Sequence, residues 1–429
     1  AGQLVTPPIG SPSSLPFIVA YPGETLGVDG TVQLITVRGT VAGAASAAPL
    51  LAASELGGLD SAFVDHLSEL ARVEVDPVTG VVTEMTNGAL GRQLAALSPS
   101  AAPAAIKSLT GVAYLSGLGM AHLSAAADNE ALARRTEQRR FDRGYMSVKT
   151  REAFVSATSG SWNSDDAPSS PGYDISRSGM LVGWDRDVGS AATFGLALSL
   201  DRSTAKLVGG GQVDADQARI HGFGSILMAD EATFLEGGAW LGYSRMNADR
   251  GSLAGGASSS PTAFLAGGWL RVGRAGLLTP RTSVVPFAQL DVSHVSQGAT
   301  TETGGAAATQ TLLAVDSLSQ TDTRGRLGLS LAHAWDGDSG AWRCRLSLDV
   351  AYVASLSGAE VSTRAVNSAA GGVGTVTATA DPLDRGGLLV TPALTFGPDN
   401  DNTVGISAEF RRLEGGSATS VNLSYRRRF

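Results

Sequence analysis

From residue 151 to the C-terminus, apolar side chains alternate with small or polar ones, the two-residue period of a strand with two unlike faces. Around Cys344, the residues Trp342, Leu346, Leu348, Val350 and Tyr352 share one parity, while Arg343, Arg345, Ser347, Asp349 and Ala351 hold the other. The segment before it sets Leu327, Leu329, Leu331 and Trp335 against Arg324, Arg326, Gly328, Ser330 and Ala332. Twelve such segments can be counted, at 151–161, 174–187, 190–202, 215–228, 232–245, 260–273, 281–295, 321–335, 340–353, 386–396, 402–412 and 418–429. Any one of them would suit a soluble sandwich. The connections argue otherwise, because short ones at 188–189, 229–231, 274–280, 336–339 and 397–401 interleave with long Gly, Ser, Asp and Thr-rich ones at 162–173, 203–214, 246–259, 296–320 and 354–385.

An even number of strands, short turns on one rim and long loops on the other predict an all-β membrane protein, a 12-stranded antiparallel up-and-down transmembrane barrel. The apolar parity would face lipid. Trp184, Trp269, Trp335 and Trp342 would form an aromatic girdle at the periplasmic rim together with Phe429, and Trp162 would lie at the other rim. The polar parity would face inward, with Arg324, Arg326, Arg343, Arg345, Asp349, Glu409, Arg411, Glu236 and Asp291 among the groups lining the lumen. Unpaired charges are costly in a dry interior, so that lumen must be wet or filled by something polar. Eight strands close around side chains and sixteen leave a channel; twelve leave room for about one helix some 10 Å across.

Residues 89–140 read as helical material, Ala-rich, with Leu90, Leu94 and Leu97 on one face and a break at Pro99 and Pro103. A second run from Ala104 carries Ile106, Leu109, Val112 and Leu115, then turns charged at Asp128, Glu130, Arg134, Arg135, Glu137, Arg139, Arg140 and Arg143. Such a run in isolation can be a solvated helix face; placed directly before the first strand, it has a better home inside a charged lumen, which it would plug. Residues 1–88 differ in texture. Pro7, Pro8, Pro12 and Pro16 suggest a loop, Val32, Leu34, Ile35 and Val37 short strands, and Leu59, Phe63, Leu67 and Leu70 a helix capped near Asp60.

Composition narrows the classes. In 429 residues, 43% are hydrophobic and 54 are glycine, and no stretch is apolar for the ~20 residues that a spanning helix needs. A net charge of −8 with dispersed bases speaks against nucleic acid, and the lone Cys344 excludes an internal disulfide and a cysteine-cluster zinc site. The start at Ala1, with no Met, basic n-region or apolar h-region, reads as processed material.

Catalytic chemistry is not expected either. There is no G-x-S-x-G elbow, and His66, His122, His221, His294 and His333 occur in no ligand spacing. The Gly209–Gly211 run lacks the Lys-Ser/Thr of a phosphate loop, and Asp165, Asp166, Asp399 and Asp401 read as turn residues. No catalytic, cofactor or metal site is predicted, and no cofactor.

The ordered combination of twelve strands, a preceding helical segment and a terminal strand Val421-Asn422-Leu423-Ser424-Tyr425-Arg426-Arg427-Arg428-Phe429 resembles the translocator domain of the bacterial autotransporters, the type V secretion family. The likeness covers about 89–429, with Ala89-Leu90 through Leu97-Ser98-Pro99 similar to the family's linker. It implies an outer-membrane protein of a Gram-negative-type bacterium that exports or tethers an N-terminal passenger, with loops at the cell surface, and no enzyme. Partners would be outer-membrane lipid, the barrel-assembly machinery and the passenger, around a monomeric barrel. Val421, Leu423, Tyr425 and Phe429 fit the family's assembly signal. On this reading 1–88 is a passenger remnant or short surface region, 89–143 a helical linker whose C-terminal part lies in the lumen, and 144–429 the barrel. The doubled asparagine of self-cleaving members is missing, with only Asn129 in the relevant region, so self-cleavage is unsupported. The alternatives are a porin-like channel, which an Arg-rich lumen would make anion-attracting, and a structural barrel presenting its long loops to surface partners.

Overall fold

The computed structural model describes residues 102–143 and most of 151–429, together with 17–19, 35–37, 73–75, 82–85 and residues 63, 66, 67 and 90. Twelve strands run in chain order, each antiparallel to the next: β1 (Arg151–Ser164), β2 (Tyr173–Val188), β3 (Ala192–Leu207), β4 (Gln212–Leu227), β5 (Thr233–Arg250), β6 (Thr262–Arg274), β7 (Thr282–Gln297), β8 (Leu318–Asp336), β9 (Arg343–Ser357), β10 (Gly386–Gly397), β11 (Asn402–Leu413) and β12 (Gly416–Arg428). The last pairs with the first, Gly416 opposite Ser164 through Arg428 opposite Glu152, and the sheet closes on itself. Closure leaves the main sheet no free edge along this path, the condition for strands to cross a bilayer.

Parity decides the two faces. Leu327, Leu329, Leu331, Leu346, Leu348, Val350 and Tyr352 are exposed on the outside, while Arg324, Arg326, Ser330, Arg345 and Asp349 are buried within. The strands outrun the alternation because above the apolar band both faces turn small or polar and the sequence contrast fades. So the stretch 203–214, expected as a long loop, is mostly strand. β3 and β4 continue to Leu207 and Gln212 and are joined by 208–211, where Gly210 and Gly211 take φ of 98° and 113°. The 296–320 and 354–385 connections also carry structure, contributing to a four-stranded sheet of Thr300–Thr301, Ala314–Val315, Val361–Val366 and Thr375–Ala380.

On the opposite rim the turns are short. In the β4–β5 turn, hydrogen bonds from Thr233 Oγ1 (2.7 Å), Thr233 N (2.8 Å) and Ala232 N (3.2 Å) converge on Asp230 and hold its carboxyl below the usual carboxylate range.

Inward-facing rings recur opposite glycines. Phe154 faces Gly183, Phe223 faces Gly195, Phe234 faces Gly273, Trp240 faces Gly267 and Phe287 faces Gly328, each a directly paired rung. A Cβ on any of these glycines would stand 2.3 to 2.6 Å from the ring opposite. Only glycine lets the ring lie down on the wall.

Directly before the barrel lie α1 (Ala102–Ser108) and α2 (Val112–Arg143). Pro103, expected to break a helix, sits in the first turn of α1, where its missing N–H costs nothing. The 32 residues of α2 span about 48 Å, well beyond a ~25 Å apolar band. No described helix is long and apolar enough to cross a membrane by itself. Upstream, Phe17–Val19 pairs with Ile35–Val37 and Val73–Val75 with Val82–Met85. Phe63, Leu67 and Leu90 are helical and buried. Pro7, Pro8, Pro12, Pro16, Leu59, Asp60, Leu70, Leu94, Leu97 and Pro99 lie outside the described residues.

Candidate functional site

The site is the lumen with α2 inside it, and it has two layers. In the first, the N-terminal half of α2 is apolar. Tyr114, Leu115, Leu118 and Met120 pack in one buried cluster with Trp162, Trp240, Met246, Leu265 and Val295 of the wall and with Leu313, Val315, Val361 and Val376 of the loop sheet. Gly117 permits this approach, since a Cβ there would meet Met246 Sδ at 2.8 Å. Arg250 fastens the layer. It is 2% exposed, donates two hydrogen bonds to Glu302 and others to the carbonyls of Ser108 (2.7 Å) and Thr311 (2.5 Å), while Tyr114 donates to the same Glu302 (3.0 Å).

The second layer is ionic. Asp128 accepts from Arg177 (2.8 Å) and Arg219 (2.7 Å), both of which also hold Asp201. Glu130 accepts from Arg326 (2.8 Å) and Arg134 (3.1 Å), with Arg271 at 3.8 Å. Arg134 also lies 4.0 Å from Asp349, and Arg326 reaches Asp291 at 3.0 Å. Arg135 pairs with Asp185 (2.7 Å) and Glu152 (2.6 Å), and Arg139 with Glu152 (2.7 Å), Asp185 (3.0 Å) and Asp187 (3.0 Å). Glu137 accepts from Arg345 (2.5 Å) and Ser330 (3.2 Å). Arg140 pairs with Glu236 and stacks over the Phe234 ring, 3.4 Å from its centroid. The helix acids thus meet wall arginines and the helix arginines meet wall acids. Two further lumen residues are paired along their own strands: Arg411 with Glu409 (2.9 Å) and Arg324 with Asp322 (2.7 Å).

Glu152 and Asp187 were not singled out from sequence. Glu152 has the inward parity of Phe154 and Ser156, but Ala153, Val155 and Ala157 make the outer face of β1 so weakly apolar that its alternation hardly announces itself.

On the outer surface, Trp335 and Trp342 are about half exposed, His333 lies against Trp335 and Trp342 against Phe396. Trp184 is partly exposed beside Arg186. Trp269 corrects the expected girdle: only 4% exposed, it has the inward parity of Arg271 and packs inside with Phe223 and Leu132. Trp162, expected at the far rim, is also turned inward. Val421, Leu423, Tyr425 and Phe429 project outward, and the Phe429 N–H bonds to the Arg151 carbonyl at 2.9 Å.

Asn129 is buried and donates to Asp291 at 3.2 Å. His122, His221, His294 and His333 each hydrogen-bond a hydroxyl of a neighbouring Ser or Thr. Among the described residues no three His, Cys, Asp or Glu side chains are grouped to hold a metal.

The chain is similar in structure to the translocator domain of autotransporter NalP from Neisseria meningitidis, with 16% identity, a TM-score of 0.53, and coverage of 71% of this chain and 98% of that one. It is also similar to the β-domain of the Bordetella autotransporter BrkA, at 14% identity and a TM-score of 0.46, covering 64% and 98% of the two chains. At these identities the likeness to NalP speaks for the fold alone. No curated protein matches in sequence. The family model described as autotransporter β-domain matches residues 153–409. That span is more than half of the chain and covers β1 to β11 nearly whole, so this protein belongs to the autotransporter β-domain family.

Proposed function

We propose that this outer-membrane translocator passes an N-terminal passenger through its lumen and afterwards holds it by α2, with residues 89–143 as the tether, 144–429 as the barrel and the long loops at the cell surface. Residues 1–88 are then the passenger's remnant or a short surface region. The observation that carries this reading is the seating of α2. Its charged half is ion-paired to the wall on several sides, and its N-terminal end emerges beneath the loop sheet, where a passenger would continue. The channel alternative started from the arginines of the lumen, and of these Arg324, Arg326, Arg345 and Arg411 have carboxylate partners, with a helix among them. The protein acts as a transport barrel, and no catalytic role is proposed for it.

Thiol labelling of intact cells tests the seating. In a Cys344→Ser background, Glu137→Cys should resist a bulky reagent while Ser362→Cys, exposed in the loop sheet, reacts at once. Rapid labelling at both positions would put the helix outside the lumen.

Assembly enters by the last strand. Val421, Leu423, Tyr425 and Phe429 offer lipid and the assembly machinery one outward apolar row, and the barrel is proposed to insert as a monomer. Removal of Phe429 should slow insertion and expose the chain to periplasmic proteolysis, read as loss of full-length protein in a pulse-chase. An unchanged surface yield would count against the recognition role.

A further inference from the structure

The pairing of β12 with β1 joins the two ends of the barrel sheet. At its periplasmic end one rung places Arg428 opposite Glu152, and Glu152 opposite Asp185 of β2. Both carboxylates are fully buried, so two like charges stand side by side on neighbouring strands, an arrangement that repels. The cations that meet Asp185 come from the helix, Arg135 at 2.7 Å and Arg139 at 3.0 Å. The same two guanidinium groups bind Glu152, whose other partners are Arg426 (3.4 Å) and Arg428 (3.0 Å) of β12. Arg139 extends to Asp187 as well. Among these groups, three wall carboxylates face two arginines of β12, and the helix brings two more.

We propose that seating Arg135 and Arg139 is what locks the β12–β1–β2 seam, so that docking of the tether and completion of the wall are one event. Glu152 is the positioning residue through which this happens: a single carboxylate, donated to by the helix and by the strand that must close on it. The proposal rests on α2 being the tether left in the lumen. It adds a reason for the wall to carry adjacent acids, which would be a defect in an empty barrel and become a socket in a filled one.

The test follows amide hydrogen exchange in the full-length barrel in detergent, at β1 residues 152–158 and β12 residues 422–428. Arg135→Gln with Arg139→Gln should speed exchange there by about tenfold or more, since a buried charge cluster is left unbalanced. The decisive readout is a reversal of sign. Asp185→Asn should speed seam exchange in the parent protein, by removing an arginine partner, and slow it in the Arg135→Gln, Arg139→Gln background, by relieving the repulsion with Glu152. Glu137→Gln loosens the same helix at β9 and should raise exchange at β9 rather than at the seam.

If the double variant does not assemble, Arg139→Gln alone is compared; Arg135 still holds Asp185 at 2.7 Å there, so Asp185→Asn should speed seam exchange less than in the parent rather than slow it. The proposal is overturned if Asp185→Asn speeds exchange in the double variant, or as much in Arg139→Gln as in the parent, or if Glu137→Gln opens the seam as much as loss of the two arginines. Any of these results would leave the labelling contrast between residues 137 and 362 standing, so failure of the lock and failure of the tether reading can be told apart.

Discussion

Arginine in place of Leu348 should destabilise the barrel by about 2 to 4 kcal/mol, the cost of a cation facing lipid near the bilayer midplane. Leu346→Arg should behave alike, since both side chains project outward, 38% and 47% exposed in the bare chain. Ser347 lies between them with the opposite parity, beside Arg345 and the C-terminal half of α2 in a cavity lined by both polar and apolar side chains. A Ser347→Arg side chain there stays out of lipid, among Glu137, Ser407 and Asn422 as well as Arg134, Arg345 and Arg426, and its cost should be smaller. Urea unfolding in lipid vesicles, followed by tryptophan fluorescence, would give the three values. Equal losses at 346, 347 and 348 would contradict an outer face set by parity.

The second large effect is expected at Glu137 and Arg345. Each is buried, and they meet at 2.5 Å, with Ser330 also bonding the acid and the Phe141 ring against the base. Glu137→Ala strands a guanidinium in the lumen and should cost about 3 to 5 kcal/mol. Arg345→Ala should cost a similar amount by stranding the carboxylate. Replacing both by alanine removes both desolvation penalties together, so the double variant should lose far less than the two single losses added. A double-mutant cycle on the same unfolding signal measures the coupling, and additive losses would mean that water, not the partner, solvates each charge.

The barrel was legible because lipid and lumen impose opposite demands on alternate residues. At 324 to 335 and 342 to 352 that contrast is strong, and the strands there fall within a few residues of their expected ends. It is weak where neither demand applies. Above the apolar band β3 and β4 carry Ser203, Thr204, Asp214 and Ala215, so the pattern dissolves into an apparent loop although the ladder continues. The loop sheet was invisible for the same reason, its strand Thr375–Ala380 being threonine, alanine and valine with little difference between faces.

Sites were harder than strands. Parity assigns a face but not a neighbour, so Arg135 could be expected to meet a wall acid, while its contact with Glu152 depends on how the helix is rotated and on which strands close the barrel. Trp269 failed for a different reason: tryptophan at a strand end suggests an interface anchor, but its odd position on β6 points it at Leu132 inside.

The rings that lie across from glycines bear on what this tube can carry. A phenylalanine projecting into a bore narrows it and offers a catch to anything sliding past. Laid over Gly183, Gly195, Gly273 or Gly328, the same ring becomes cladding: its thickness is taken up where the opposite residue has no side chain. The wall keeps the apolar mass that makes it stiff without surrendering calibre. On the proposed route a passenger segment would meet a liner with few ledges, and the grip on its last segment would be left to the charges.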